Sequence, residues 1–222
     1  MKSSASASRA SVILTQRAPR SPQCRGGETA FARLGEFLRV LCVKISFLSQ
    51  LSPSVKVANV VKTLLLLRHA KSSWDDKSLR DFDRPLNKRG LKAAPMVGEM
   101  IRKRKLRPEL VLSSPARRAK ETTQLVCDAA GLIAVARYDD GIYEASARRL
   151  LEIVSQIEDA VSTAMLVGHN PGLEELLAIL TGEPQRMPTA ALACIKLGIE
   201  GWSEVTPGAG TLQWIVKPKE LK

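Results

Sequence analysis

Apolar residues in this chain fall in short runs separated by polar stretches, and the runs alternate between strand-like and helix-like spacing. Residues 63–67, a threonine and four leucines, are too short for a helix. They predict a fully buried strand that delivers Arg68 and His69 at its carboxyl end. Residues 110–112, closed by Ser113-Ser114-Pro115, predict a second such strand, and residues 164–167, followed by Gly168-His169-Asn170-Pro171-Gly172, a further one. Residues 133–138 are apolar and partly β-branched, and residues 190–199 and 212–217 predict two closing strands. Helical spacing fills the gaps. Asn87 suits the N-cap of a helix running to about Arg104, with Leu91, Ala94, Val97, Met100 and Ile101 on one face. Pro95 and Gly98 predict a bend in it. Residues 116–129 predict a helix with Pro115 in its first turn, and residues 146–157 another, through Leu150, Leu151, Val154 and Ile157. A last helix runs from Gly172 to about Leu180. Residues 71–84, with alternating charges around Trp74, predict a loop.

Strands alternating with helices imply an α/β fold, a sheet with parallel βαβ units covered on both faces. Ligands in such sheets bind beyond the carboxyl ends of the strands. Three polar segments fall at such ends: Arg68-His69, residues 113–118 and Gly168-His169.

At 45% hydrophobic residues the chain can bury a sizeable core, which excludes wholesale disorder. The formal net charge of +12 suggests a polyanion, a membrane surface or a phosphorylated substrate. Its placement narrows the choice. Residues 1–62 hold ten Lys/Arg against two acids, whereas the remaining 160 hold 24 against 20. Residues 1–61 thus form a basic extension and residues 62–222 a nearly balanced domain. The extension, rich in Ser, Ala and Arg and free of acids up to Gly27, has three readings: a transit peptide, an amphipathic arm around residues 37–48, or an over-extended start, with a valine codon at Val60 or Val61 as the true one. Aromatics at 4%, with no recognition motif, exclude a nucleic-acid platform. No apolar run is long enough for a membrane span, so no integral membrane association is expected. Four scattered cysteines fit a reducing, cytoplasmic setting, with organellar targeting by the extension as the alternative.

The chain has only two histidines, and both directly follow a predicted buried strand. Arginine beside histidine is costly to bury without an anion. A phosphoryl group satisfies both, because guanidinium offers forked donors to its oxygens and a neutral imidazole can attack phosphorus. No metal-ligand cluster or cofactor motif is visible.

Leu67-Arg68-His69-Ala70 resembles the Arg-His-Gly motif of the histidine phosphatase superfamily, whose fold is phosphoglycerate-mutase-like. Residues 114–122 are similar to its Ser-Pro-x-x-Arg-Ala-x-Gln-Thr motif, Val167-Gly168-His169-Asn170 to its third, and Arg84-Pro85-Leu86 through Gly90 to the segment opening its first helix. Arg68 to Ser72 and Trp74-Asp75-Asp76 look most like the SixA-type phosphohistidine phosphatase branch. Three departures stand out: Ala70 replaces a glycine, Glu121 a glutamine, and Asn170 the aspartate of the acid-phosphatase branch.

The resemblance implies a three-layer sandwich with a mostly parallel central sheet. It implies a metal-independent, cofactor-free phosphatase with His69 as nucleophile and Arg68, Arg118 and His169 around the phosphoryl oxygens. Arg117 competes with Arg118 for that role, and the motif's register favours Arg118. Glu144 is the candidate proton donor, its alternative being a favourable charge at a helix start. Asp75 and Asp76 are weaker candidates. Lys71, Ser72, Arg80, Arg84 and Asn170 are candidate substrate-binding residues, although a charged loop such as 71–84 also reads as solvated surface. The implied substrate is a histidine-phosphorylated protein or a small phosphomonoester. A non-catalytic phosphate- or phosphoprotein-binding module is the alternative from another class.

Overall fold

The computed structural model describes residues 61–221, so the basic extension lies, apart from Val61, outside the described residues. Among these, six strands form one sheet: β1 (Lys62–Arg68), β2 (Leu110–Ser113), β3 (Val135–Tyr138), β4 (Thr163–Gly168), β5 (Leu192–Leu197) and β6 (Gly210–Val216). Their order is β3-β2-β4-β1-β5-β6. The first four run parallel, whereas β5 joins β1 and β6 joins β5 antiparallel. Four helices accompany them: α1 (Lys88–Lys103), α2 (Arg117–Ala130), α3 (Ala147–Ser155) and α4 (Gly172–Thr181).

The four leucines of β1 have no exposure because both faces of the sheet are covered. Leu64 and Leu66 join a core with Leu150 and Val154 of α3 and Leu173 and Leu177 of α4. Leu65 and Leu67 point the other way, into a core with Ala94, Val97 and Ile101 of α1 and Val126 of α2. Side chains alternate between faces along a strand, so a strand apolar on both faces reads as an unbroken run. The result is the expected α/β sandwich with a mostly parallel central sheet.

Helix ends follow local chemistry. The Asn87 side chain accepts a hydrogen bond from Gly90 N at 3.0 Å, and Ser146 accepts one from Arg149 N at 3.3 Å. Pro115 stands ahead of α2 rather than in its first turn, and Ala116, at the N-cap, donates its N–H to Ser114 Oγ at 3.3 Å.

α1 departs from its sequence reading in two ways. Leu91 is 49% exposed, since the buried stripe runs through Gly90, Ala94, Val97 and Ile101. Gly98 does not interrupt the helix: it is buried where α1 and α2 approach, and an added Cβ there would lie 2.5 Å from the Val126 carbonyl oxygen. Pro95 also lies within the continuous helix. The carbonyl it cannot bond belongs to the exposed Leu91, where water can take the donor's place. Alanine at 98 would gain helix propensity of about 1 kcal/mol, but separating two packed backbones costs more, about 2–3 kcal/mol. Gly98→Ala is therefore expected to lower the thermal midpoint by a few degrees in a calorimetric scan; an unchanged or raised midpoint would show that the helices part freely.

Candidate active site

The in-register parallel pairing of β1 with β4 sets Arg68 beside Gly168, so the next residue on each strand is a histidine. His69 N donates to the Gly168 carbonyl at 3.1 Å, and the two imidazole centroids lie 4.9 Å apart. On the far side of β4, Ser113 pairs with Val167, and Ser114 N donates to the Val167 carbonyl. Three neighbouring strand ends thus bring Arg68, His69, Ser114 and His169 together, and the first turn of α2 adds Arg118.

Each imidazole has its tautomer fixed. His69 Nδ1 lies 2.7 Å from the Ala70 carbonyl, which can only accept, so Nδ1 carries the proton and Nε2 keeps its lone pair. His169 Nδ1 lies 3.2 Å from Arg118 Nη2, which can only donate, so a neutral His169 carries its proton on Nε2. That proton goes to Ser114 Oγ at 2.8 Å. Both rings are buried. Burial first, then His169, Arg118 and Arg68, push the His69 pKa down to about 3. Burial, then Arg118 and Arg68, push His169 down to about 4, with Asp81 opposing.

Because the chain has only these two histidines, a nitrogen-detected NMR titration can assign them with one substitution. Both rings are expected to stay neutral at pH 5.5, His69 as the Nδ1–H and His169 as the Nε2–H tautomer. The unfolded chain, with ordinary histidine values near 6.5, takes up protons below that pH while the folded chain does not. Stability therefore falls as pH drops from about 6.5 towards 4. An imidazolium signal from the folded protein at pH 5.5 would overturn this assignment.

The backbone around His69 is held by its neighbours. Ala70 N donates to Thr122 Oγ1 at 3.0 Å, and Thr122 Oγ1 donates to the Arg118 carbonyl, tying the two motifs together. Ala190, at a left-handed φ of 61°, donates its N–H to the carbonyls of both Arg68 and His69. Ala70, where the similar motif has a glycine, is fully buried in the α1–α2 core. Arg68 Nη1 and Asn170 Nδ2 converge on the Met187 carbonyl, at 2.8 and 3.1 Å. Arg68 Nε and Asn170 Oδ1 are buried with no protein partner, which leaves one donor and one acceptor for a ligand.

The loop at 71–84 is less solvated than its charges suggested. Arg84 is buried, bonded to Ser72 Oγ, to the Ser73 carbonyl at 2.9 Å and to Asp81 Oδ1 at 2.6 Å, with Trp74 stacked over its guanidinium. Arg84 and Ser72 therefore brace this loop. Lys71 and Arg80 are exposed, as are Asp75 and Asp76. Glu121 accepts from Leu86 N at 2.7 Å and from Arg117, so Arg117 faces outward while Arg118 faces the site.

Asp81 and Tyr143 were missed in the sequence. Asp81 Oδ2 lies 2.8 Å from Arg118 Nη2, and the Tyr143 hydroxyl donates to the same oxygen at 3.1 Å. Burial would raise the Asp81 pKa, but Arg118, Tyr143 and Arg84 outweigh it and hold the carboxyl below its usual range. Tyr143 also packs edge-on against His169. The adjacent Glu144 is exposed, at a left-handed φ of 51°, and makes no hydrogen bond to the site residues. The signal for Asp81 was its place three residues before Arg84; nothing local marked Tyr143.

Among the described residues, no group of three or more His, Cys, Asp or Glu is placed to hold a metal ion, and no helix is long and apolar enough to cross a membrane. Neutral imidazoles beside two arginines can bind an oxyanion and present a nitrogen lone pair to it.

Known proteins are similar to this chain in sequence and in fold. Residues 64–147 match the model of the histidine phosphatase superfamily (branch 1). An uncharacterized chloroplastic protein of Arabidopsis thaliana is 34% identical over 189 residues, covering 75% of this chain and 81% of the relative. The crystal structure of a protein assigned as the phosphohistidine phosphatase SixA of Agrobacterium tumefaciens superposes with a TM-score of 0.62 at 32% identity, covering 71% of this chain and 98% of that one. A structure of the protein histidine phosphatase SixA complexed with tungstate gives a TM-score of 0.64 at 26% identity, over 72% and 99%. With its motifs in order and its two histidines on adjacent strand ends, the chain belongs to the histidine phosphatase superfamily.

Proposed function

We propose that residues 62–222 form a metal-independent phosphatase that works through a phosphohistidine intermediate on His69 Nε2, and that its substrate is protein phosphohistidine. The observation that carries this reading is the His69 tautomer, with the Nδ1 proton held by the Ala70 carbonyl and Nε2 free to attack. In the first step the Nε2 lone pair forms a bond to phosphorus as the bond to the leaving group breaks, and the leaving group keeps that electron pair. In the second, water attacks the phosphohistidine, its proton passes to solvent, and orthophosphate and neutral His69 are released. Arg68 and Arg118 stabilise the charge on the phosphoryl oxygens in both steps. His169 sets the orientation of Arg118 through its Nδ1.

The leaving group decides between substrates. An alkoxide needs a proton as it departs, yet Asp81 is held ionised by two arginines and Glu144 is exposed. Imidazole leaves far more readily, which favours phosphohistidine over a phosphomonoester; the names of the SixA relatives point the same way. If Glu144 nevertheless supplies the proton, Glu144→Gln will slow aryl or alkyl phosphates selectively. The test of the whole reading is hydrolysis with EDTA present. A phosphorylated histidine-containing transfer domain should be cleaved faster than sugar phosphates or phosphoglycerates, and orthophosphate binding without turnover of any of them would point to a phosphate-binding module.

For the extension, the chloroplastic relative supports organellar targeting over a purely cytoplasmic location. A fluorescent protein fused to residues 1–61 tests this, and diffuse fluorescence would leave the cytoplasm as the site of action.

A further inference from the structure

Arg118 already has an anionic partner within the chain. Arg118 gives Nη2 to the Asp81 carboxylate at 2.8 Å and Nη1 to the Asp81 backbone carbonyl at 2.5 Å, while Nη2 also meets His169. The same carboxylate takes Arg84 Nη1 at 2.6 Å on its other oxygen and the Tyr143 hydroxyl at 3.1 Å. Asp81 thus collects three donors, two of them guanidinium groups, which is how a phosphoryl group would be held. Yet its side chain is 40% exposed, while those of Arg118 and Arg84 are nearly covered. Two buried cations depend on one anion that reaches them from a solvent-facing loop.

We propose that Asp81 is a resident anion that occupies Arg118 in the free protein and is displaced by the phosphoryl group of the substrate. This rests on the phosphatase reading and adds to it a positioning residue that sets affinity. Like charges cannot share the guanidinium without repulsion, so the incoming group and the carboxylate compete for the same donors. The competition has two consequences. Asp81 keeps Arg118 paired and oriented while the site is empty, avoiding an uncompensated buried charge. It also weakens the binding of the product orthophosphate, which favours release.

The test is calorimetric titration of the full-length chain with inorganic orthophosphate, comparing wild type with Asp81→Ala and Asp81→Asn. With the competitor removed, Asp81→Ala should bind orthophosphate about tenfold more tightly. Asp81→Asn, which loses the charge but keeps an acceptor, should fall between it and the wild type. A merely structural role for Asp81 predicts the opposite sign, because an unanchored Arg118 binds less well. Affinity of Asp81→Ala equal to or below wild type overturns the proposal while leaving the phosphatase reading intact. Failure of both the wild type and Asp81→Ala to bind orthophosphate overturns both.

Discussion

Replacing His69 with alanine is expected to lower kcat by about 10⁴-fold or more on any substrate the protein turns over, since losing a covalent nucleophile leaves only binding and charge stabilisation. The substitution removes a ring whose one protein hydrogen bond is to the neighbouring Ala70 carbonyl, so far-ultraviolet circular dichroism should not change. Wild-type protein quenched in alkali during turnover should carry labelled phosphate that acid releases, as a phosphoramidate does, and His69→Ala should carry none. Residual activity within tenfold of wild type would place the nucleophile elsewhere. His169 cannot readily take over, because its Nδ1 faces Arg118 and its Nε2 proton is given to Ser114.

Arg118→Ala should come next in size, lowering kcat by about 10²–10³-fold, the usual cost of removing a donor to a developing oxyanion. The loss has two parts. The phosphoryl oxygens lose a guanidinium, and Asp81 is left as a carboxylate with only Arg84 and Tyr143 to hold it next to the incoming anion. Arg118→Lys should recover little, because a single ammonium cannot serve Asp81 through two nitrogens and His169 as well. Steady-state kinetics on an aryl phosphate check this, and a variant whose kcat matches wild type would remove Arg118 from the transition state. In the combined Arg118→Ala and Asp81→Ala variant, part of the loss should return, because the unpaired carboxylate is gone.

Much of the fold could be read along the chain because it is written in short-range features. Four consecutive leucines require cover on both faces, and the two cores on either side of β1 supply it. Asn87 and Ser146 cap the helices they precede, since a cap bond spans only three residues. What was misread depended on partners distant in sequence. Gly98 looked like a helix breaker because the Val126 carbonyl it accommodates lies on another helix. Arg84 looked solvated because the sequence does not show it folding beneath Trp74. Glu144 was named through the family resemblance, while nothing local marked its neighbour Tyr143, which packs against His169 from another part of the chain.

The sequence by itself determined the family and the two histidines and arginines that are the candidates for the chemistry. Both histidines follow buried strands, each strand end adds an arginine, a serine or a glycine, and their order along the chain matches one family. Backbone hydrogen bonding and burial are periodic, so a local pattern is enough to establish them. Only the tertiary structure decided the state of those residues. The tautomer of each imidazole depends on whether its neighbour is a carbonyl or a guanidinium, and the partner of Arg118 lies 37 positions away, in a loop that a one-dimensional reading assigns to solvent. Electrostatic pairing follows distance in space, and distance in space is set by the register of β1 on β4 and the packing of α2 beside them.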